Sequence, residues 1–465
     1  MDTNQNTKLP TMDEIVSLAK RRGFAYQNSS IYGGLANLYD YGPMGTLLLR
    51  NIRQLWWDTF VTRRDDIVGI DASIISHARV WEASGHVASF ADAMLDCKEC
   101  RTRTRADHLI EQYFQANDKE IKVEGKSLEE LTQIIADNKI PCPTCKKHNW
   151  TEVRKFNLLF PVKLGILEET QSMAYLRGET AQGIFINFKN VLDSTRVSLP
   201  FGIAQNGRSF RNEITKGNFV FRTIEFEQGE IEYFFDPDET DWNALFEQWK
   251  TDMFEFLTQM LGVKKENLRW RTHSDEERSF YSKRTEDMEY NYPFGFSELW
   301  GLAYRTDYDL TQHEKFSKQD MKYLDPKTGK KFIPHVIEPA VGLNRIFLMI
   351  LCDAFWKDEV KNRIVLKLSP QLAPYQAAVF PLVRNNEDLT AKAHDVYLGL
   401  QKKFRVIWDD RGNIGKRYLA QDEIGTPICV TIDYQTLEDQ TVTIRSRDTA
   451  DQIRVAIDDI GKHIL

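Results

Sequence analysis

Residues 207–235 place the strongest constraint on this chain, because they have the pattern of two long strands joined by a short loop. Alternate side chains of a strand lie on the same face, so Arg211 and Glu213 are predicted to point together on the first strand. The side chains predicted to share a face of the second strand are Arg222, Phe226, Gln228 and Glu230. These residues indicate a ligand-binding surface, although a solvated hairpin with surface ion pairs would carry a similar set.

The composition of this surface is suited to a nucleotide. An arginine guanidinium can hold two phosphate oxygens at once and keeps its charge at any working pH. An aromatic ring can stack on a base, and a carboxylate can accept hydrogen bonds from an exocyclic amine or an ammonium group. The hairpin therefore predicts nucleotide binding with attack at phosphorus.

Length and composition favour a globular protein of two or three domains. The chain has 465 residues, of which 42% are hydrophobic and 12% aromatic, as expected for well-packed domains. No apolar run approaches the roughly 20 residues that a membrane span needs, and the amino terminus lacks an apolar signal core. A cytoplasmic protein without a membrane partner is the expectation. The net charge of −7 argues against a nucleic-acid coat protein but allows RNA binding through a local basic face.

Four of the six cysteines form two C-x-x-C pairs, which are Cys97 with Cys100 and Cys142 with Cys145. In a cytoplasmic chain this pattern predicts a closed, structural zinc site with four thiolate ligands. Four reduced cysteines without a metal are the alternative, and His148 is a weaker rival ligand. The segment around them is rich in charge and poor in apolar residues, so a metal would help to hold it together.

Several motifs resemble those of class II aminoacyl-tRNA synthetases. FRNE, a loop and then FRTIEF resemble motif 2, EPAVGLNR (338–345) resembles motif 3, and residues 37–57 resemble motif 1, the helix of the dimer interface. RADH (105–108), LRGETAQGIF (176–185) and FSELWG (296–301) are similar to segments of glycyl-tRNA synthetase in its homodimeric form. The resemblance covers nearly the whole chain. It implies a homodimeric glycine–tRNA ligase, with glycine, ATP and tRNA(Gly) as partners.

The resemblance also implies roles for single residues. Arg211 and Arg345 would be catalytic, with Arg211 at the α-phosphate and Arg222 and Arg345 at the γ-phosphate. Glu213 would bind the adenine amine, and Phe226 would stack on the ring. The predicted ATP-binding residues are Arg211, Asn212, Glu213, Phe221, Arg222, Thr223, Ile224, Glu225, Phe226, Glu298, Leu299, Gly342, Leu343, Asn344 and Arg345.

The resemblance also implies ligands for magnesium and for glycine. Glu298 would hold Mg²⁺ beside the pyrophosphate, and Glu179 and Glu230 would bind the glycine ammonium group. One methyl group is worth only about 1–3 kcal/mol of apolar contact, so a cramped pocket must exclude alanine. The predicted glycine-binding residues are Arg105, Glu179, Phe226, Glu227, Gln228, Gly229, Glu230, Glu338, Pro339, Ala340, Val341 and Gly342. Ala340 stands where the family often has serine, and Asn344 where it often has aspartate.

The predicted fold is α+β, with a class II synthetase-like antiparallel sheet of six or seven strands. The predicted domains are 1–95 and 156–358 (the two parts of a catalytic domain), 96–155 (a zinc-binding insertion) and 359–465 (an α/β anticodon-binding domain). A closing helix is predicted from Thr449. Basic residues that would contact tRNA are Arg101, Arg103, Arg105, Lys146, Lys147, His148, Arg405, Arg411, Lys416 and Arg417.

Two other functions stay open at this point. A class II synthetase for serine, threonine or proline would have the same fold, and amino-acid-dependent ATP–pyrophosphate exchange would distinguish it. A non-catalytic tRNA-binding or polymerase-accessory subunit is the second alternative. Such a subunit would not need the arginines of a nucleotide site, and this chain keeps Arg211, Arg222 and Arg345.

Overall fold

The fold was obtained as a computed structural model, which describes residues 9–119, 121–123, 125–165, 172–213, 217–275, 277–279 and 281–464. Its first helix has a distinct capping residue at each end. Thr11 and Glu14 form a capping box at its start, and Gly23 ends it with φ of 73°. The elements of residues 9–89 are α1 (Met12–Arg22), β1 (Ala25–Gln27), β2 (Tyr39–Tyr41), α2 (Pro43–Trp57), β3 (Ile67–Gly69), β4 (Ile75–His77), α3 (Ala78–Ala83) and α4 (His86–Ser89).

The cysteine-bearing segment forms a small sheet with two helices packed on it. Its elements are β5 (Ala91–Asp96), β6 (Arg103–Arg105), α5 (Ala106–Gln115), α6 (Leu128–Asp137) and β7 (Arg154–Asn157). The strands are antiparallel, with β5 in the middle. Leu95, Ile110, Leu131 and Ile135 are buried in a separate apolar cluster. The segment thus has a core of its own, although a small one.

The longest part of the chain follows. Its elements are β8 (Phe160–Leu164), β9 (Ser172–Leu176), α7 (Ala181–Ser194), β10 (Phe201–Phe210), β11 (Glu225–Phe235), α8 (Trp242–Glu255), β12 (Leu268–Thr272), β13 (Arg284–Tyr292), β14 (Gly295–Thr306), α9 (Tyr308–Ser317), β15 (Tyr323–Leu324), β16 (Lys331–Phe332), β17 (His335–Gly342) and α10 (Leu343–Ala354). Within the described ranges, no helix is long and apolar enough to cross a membrane.

A seven-stranded sheet organises the described part of this region, in the order β12-β13-β14-β17-β11-β10-β3. All neighbouring strands are antiparallel except β3 and β10. The strands predicted within residues 207–235 are β10 and β11, which are paired neighbours inside the sheet, and the predicted α+β class is confirmed. Helices α2 and α10 cover one face, where Trp56 packs against Gly229 so closely that a Cβ at Gly229 would lie 2.8 Å from the indole. On the other face α7 packs against Phe201 and Phe234, and the rest of that face is left for a cleft.

The carboxyl-terminal part is an α/β unit with its own core. The elements after α10 are β18 (Phe355–Asp358), β19 (Arg363–Leu366), β20 (Ala377–Pro381), α11 (Glu387–Gln401), β21 (Val406–Trp408), α12 (Ile414–Ile424), β22 (Ile428–Ile432), α13 (Tyr434–Asp439), β23 (Thr441–Ser446) and β24 (Gln452–Ala456). Strands β18 and β19 form a separate hairpin. The main sheet of residues 377–456 has the order β21-β20-β22-β23-β24.

The predicted closing helix from Thr449 is wrong. Residues 452–456 instead form β24, which pairs antiparallel with β23, and a 3₁₀ helix, Ile457–His463, follows. Arg417, which the sequence predicts at the tRNA surface, is instead buried, and Arg405 is half-buried. Arg417 is 2% exposed and donates to the carbonyl oxygens of Pro381 and Gly412, while Arg405 donates to three carbonyl oxygens of residues 370–373.

Candidate active site

A cleft of about 320 Å³ lies on the open face of the seven-stranded sheet. Its floor follows a row of paired residues across the strands: Glu230 pairs with Ala340, and Ala340 pairs with Gly301. Two small residues side by side leave space above the sheet, and larger polar side chains surround that space. The cleft is therefore built into the strand register.

Arg211 lies just past the end of β10 and enters the cleft. Its Nε donates to the carbonyl oxygen of Gly178 at 2.9 Å. Its guanidinium carbon lies 5.1 Å from the ring centroid of Phe90 and 5.2 Å from that of Phe226. Within the described ranges no carboxylate pairs with it at ion-pair distance. An arginine held by aromatic rings and a carbonyl keeps its charge available for an anionic ligand.

Arg345 lies in the first turn of α10, the helix that follows the EPAVG strand. Its Nη1 lies 2.8 Å from a carboxylate oxygen of Glu298, and its guanidinium carbon lies 4.7 Å from the ring centroid of Phe221. The charge of Arg345 lowers the pKa of Glu298 below its ordinary value. Arg222 also lines the cleft. It follows a short 3₁₀ helix, however, rather than lying on the second strand as predicted.

Asn344, beside Arg345, holds three predicted motifs together. Its Oδ1 accepts a hydrogen bond from the backbone N–H of Glu227 at 2.6 Å, and its Nδ2 donates to the hydroxyl of Tyr41. One amide thus joins the helix of motif 3, a strand of motif 2 and the strand that precedes the helix of motif 1. The asparagine that departs from the family pattern has a specific structural contact here.

The opposite end of the cleft is acidic. A carboxylate oxygen of Glu179 lies 3.2 Å from Nε2 of His86, and the hydroxyl of Thr180 donates to Glu230. Burial alone would raise the pKa of Glu179, but His86 and the guanidinium of Arg305 lower it below its ordinary value. Burial and the charges of neighbouring carboxylates raise the pKa of Glu230 to about 8. The pKa values of these two glutamates are therefore shifted in opposite directions.

Arg305 is the buried cation of this acidic end. Its side chain is 2% exposed, donates to both oxygens of Asp309 at 2.8 and 2.9 Å, and also pairs with Glu338. Its guanidinium carbon lies 4.1 Å from the ring centroid of Tyr281, which lines the cleft. Burial would lower the pKa of Arg305, but the carboxylates raise it well above the ordinary value. The acidic end is thus an ordered ion-pair network.

Most of the predicted residues line the cleft. Those from the ATP-binding set are Arg211, Glu213, Phe221, Arg222, Thr223, Phe226, Glu298, Gly342, Asn344 and Arg345. Those from the glycine-binding set are Glu179, Phe226, Gln228, Glu230, Glu338, Ala340, Val341 and Gly342. The structure thus brings together four separate stretches of sequence.

Other predicted residues lie elsewhere in the structure. Glu227 points to the opposite face of the sheet and pairs with Arg53, and Glu225 pairs with Arg208. Arg105 pairs with Asp92 and Asp107 near the insertion. The remaining predicted residues that do not line the cleft are Asn212, Ile224, Gly229, Leu299, Pro339 and Leu343.

The sequence analysis missed several lining residues, of which Ser279, Tyr281, Thr285, Gly301, Leu302 and Ala303 are examples. It also missed Arg305, Thr180 and His86, which hold the acidic end in place. Strand alternation from Gly301 would have placed Ala303 and Arg305 on the same face. His86 and Tyr281 carried no comparable signal, because they reach the cleft from a short helix and a loop.

The two cysteine pairs form matching turns. Sγ of Cys97 lies 3.6 Å from Sγ of Cys145, and Sγ of Cys100 lies 3.6 Å from Sγ of Cys142. All four sulfur atoms lie within 4.8 Å of one another. Tetrahedral zinc with Zn–S bonds of about 2.3 Å places sulfur atoms about 3.8 Å apart. The donor set therefore fits a closed zinc site.

Comparison with known proteins identifies the family of this chain. The chain is 52% identical over 457 residues to a glycine–tRNA ligase of Caldanaerobacter subterraneus subsp. tengcongensis, and the alignment covers 98% of each chain. It is also 52% identical to the glycine–tRNA ligase of Clostridium tetani, with 98% of each chain covered. The chain belongs to the glycine–tRNA ligase family. The family predicted from the motifs is thereby confirmed.

Two family models and one solved structure agree with this assignment. Residues 376–465 match an anticodon binding domain, and residues 122–158 match the glycyl-tRNA synthetase insertion domain 1. Prolyl-tRNA synthetase from Cryptosporidium parvum, solved with halofuginone and AMPPNP, is similar in fold with a TM-score of 0.63. Its sequence identity is 16%, and the match covers 97% of this chain and 77% of that one.

Proposed function

We propose that this chain activates glycine with Mg-ATP and transfers it to the 3′-terminal ribose of tRNA(Gly). In the first step an oxygen of the glycine carboxylate attacks the α-phosphorus, the bond to the bridging oxygen breaks, and pyrophosphate leaves. In the second step a ribose hydroxyl attacks the glycyl carbonyl carbon, and AMP leaves. The observation that carries this proposal is one cleft with guanidinium groups at one end and fixed carboxylates at the other.

The arginines stabilise charge rather than form covalent bonds. Arg211 is the group for the α-phosphate, because it enters the cleft without a carboxylate partner among the described residues. Arg222 and Arg345 are the groups for the γ-phosphate. Removing one preorganised donor of this kind costs about 10²–10³ in rate in other enzymes. Phe221 and Phe226 offer ring faces near the base, and Glu213 offers a carboxylate to its exocyclic amine.

Glycine is bound through its ammonium group. Glu179, Glu230 and Glu338 line the acidic end of the cleft, and each is held by a named neighbour: His86, Thr180 and Arg305. The small floor residues leave room for the substrate, while Tyr281 borders the same space. We expect discrimination against alanine to depend on the rigidity of these groups, because the methyl group itself provides little binding energy.

Two metal ions complete the proposal. Glu298, whose carboxylate is about half exposed beside Arg345, would hold Mg²⁺ with the pyrophosphate oxygens. The four cysteines would hold zinc as a structural ion, since they leave no open coordination position. Magnesium neutralises phosphate charge during the transfer, and zinc would hold the two cysteine turns of the insertion together.

The tRNA would approach through the insertion and the carboxyl-terminal unit. A groove beside the cysteine turns is lined by Lys98, Arg101, Arg103, Phe156 and Asn212, together with Cys97 and with Asp96, which pairs with Arg103. Basic and aromatic groups of this kind suit a single-stranded nucleic acid end. Asn212 directly follows Arg211, so the groove leads toward the cleft. In the terminal unit, Arg411 is 89% exposed and available for phosphate contacts.

A homodimer is part of the proposal. Residues 31–35 precede the helix of motif 1, and three of their apolar side chains are exposed: Ile31 by 85%, Tyr32 by 87% and Leu35 by 54%. A second copy of the chain would cover them, as the motif 1 resemblance implies. Sedimentation at several protein concentrations would test this directly.

The decisive experiment is ATP–pyrophosphate exchange measured with each of the twenty amino acids. We expect exchange only with glycine, and loss of it in Arg211→Ala while the fold and the oligomeric state persist. Exchange with serine, threonine or proline instead of glycine would favour the rival synthetases. Absence of exchange with every amino acid, in a protein that still binds tRNA, would favour the non-catalytic alternative.

A further inference from the structure

Glu232 is a buried carboxyl group next to the glycine end of the cleft, and the proposed reaction does not use it. Its side chain is 0% exposed, and neither oxygen has a hydrogen-bond partner within the described ranges. It lies two residues after Glu230 on β11, so both side chains lie on the cleft face of the sheet. Oxygen atoms of Glu230, Glu232 and Glu338 lie within 4.8 Å of one another.

Three ionised carboxylates this close in a buried site need a compensating positive charge. Burial and the charges of neighbouring carboxylates raise the pKa of Glu230 to about 8, and they also raise the pKa values of Glu232 and Glu338. A protonated carboxyl group donates one hydrogen bond and still accepts others. A proton within the group would therefore remove a repulsion and give the oxygens of Glu232 the partners they lack.

The surrounding charges do not replace that proton. Arg305 is the main cation that faces the three carboxyl groups, but it donates to both oxygens of Asp309 and to one oxygen of Glu338. Arg177 is farther along the sheet, where it donates to the carbonyl oxygens of Ala72 and Arg208. The other titratable groups around this end of the cleft are Glu179, His86, Asp309, His313 and Tyr281.

We propose that Glu232 is a positioning residue that holds a proton between Glu230 and Glu338 in the empty cleft, and that the ammonium group of glycine displaces this proton. The inference rests on the proposed function. One positive charge enters with glycine and one proton leaves to solvent, so the buried site gains no uncompensated charge. Glu230 and Glu338 are then ionised and face the ammonium group, and Glu232 keeps them at the right separation.

The inference predicts a specific pH dependence. If one proton leaves when glycine binds, the KM for glycine falls by about tenfold for each unit of rising pH, as long as the group is protonated in the empty enzyme. The KM for ATP should not depend on this proton, because the phosphates would bind at the arginine end of the cleft. Glutamine at position 232 would donate hydrogen bonds from its amide without titrating.

The test measures KM for glycine in pyrophosphate exchange from pH 6 to pH 8, for the wild type, Glu232→Gln and the surface control Glu239→Gln. We expect a decrease of about tenfold per pH unit in the wild type and in Glu239→Gln, and a nearly flat profile in Glu232→Gln. His86 also faces this end, so the difference between Glu232→Gln and the wild type is the decisive quantity. An identical slope in both would overturn the inference.

Proton counting gives a second test that needs no variant. Titration calorimetry of glycine in two buffers of different ionisation enthalpy would show about one proton released per glycine at pH 7. Zero protons released by an enzyme with glycine-dependent exchange would overturn the inference and leave the proposed function intact. A wild-type protein without any glycine-dependent exchange would overturn the proposed function, and the inference with it.

Discussion

The two ends of the cleft differ in how strongly their charged side chains are buried and paired. At the nucleotide end, Arg211 and Arg222 have no ion-pair partner within the described ranges, and Glu298 is about half exposed. At the glycine end, Arg305, Asp309, Glu179 and Glu230 are buried and bound to fixed partners. ATP brings many charges and its own metal ion, so it can order loosely held side chains. Glycine brings one ammonium and one carboxylate group, so its site must be ordered in advance.

The largest expected effect comes from removing the buried cation. Arg305→Met leaves Asp309 and Glu338 without their partner, and breaking a buried pair on one side costs about 3–5 kcal/mol. We expect the free energy of unfolding to fall by that amount and glycine-dependent exchange to be lost. Lys331→Met is the control, because Lys331 and its partner Asp320 are both about half exposed, so that losing their pair should cost about 0–1 kcal/mol. Equal costs in urea unfolding would contradict the ordered glycine end.

At the nucleotide end the effect should be on rate rather than on stability. Arg345→Ala removes a donor to the phosphates, and we expect kcat for exchange to fall about 10²–10³-fold. The melting temperature should change little, because Glu298 can turn to solvent. Arg345→Lys keeps the charge but loses the planar guanidinium group, so its kcat should lie between those of the wild type and Arg345→Ala. A large loss of stability in Arg345→Ala would show that this end is also structurally fixed.

The two ends should also respond differently to pH. The raised pKa of Glu230 means that the folded protein binds more protons than the unfolded chain between about pH 4.5 and pH 8. The free energy of unfolding contributed by this group therefore falls as pH rises through that window. Glu230→Gln should flatten this part of the profile in thermal unfolding without substrates. An identical slope in the wild type and in Glu230→Gln would contradict the assignment.

The smallest expected effect concerns the floor. Ala340→Ser restores the hydroxyl that the family often has, and the added oxygen would lie next to Glu230, which already accepts a hydrogen bond from Thr180. We expect KM for glycine to change by about two- to twelvefold, since one hydrogen bond is worth about 0.5–1.5 kcal/mol. Pyrophosphate exchange with glycine gives this KM, and the ratio of exchange with glycine to exchange with alanine gives the selectivity. A change of a hundredfold would mean that the floor, rather than the carboxylates, determines selectivity.

The sequence was informative where a motif coincided with strand alternation. Arg211, Phe226 and Glu230 could be placed from the period of two, and Arg345 from the start of its helix. The same alternation places Glu227 and Gly229, which were predicted to bind glycine, on the opposite face of β11, where they face α2.

Other parts of the fold and site depend on tertiary contacts that a local pattern does not contain. Arg305 becomes important only because Asp309 begins the next helix and Glu338 lies on the neighbouring strand. The end of the chain was misassigned for a related reason. Residues 452–456 are a strand because β23 is there to pair with them.

Asn344 connects the segment that is expected to form the dimer interface with residues of the cleft. Its amide ties Tyr41, at the segment expected to meet a second subunit, to the strand and helix that carry Phe226 and Arg345. In the proposed homodimer, a protomer separated from its partner would keep its sheet and its core. We expect the dissociated protomer to bind ATP more weakly while it is still folded. Dissociation of the dimer would therefore lower the affinity for ATP before the chain unfolds.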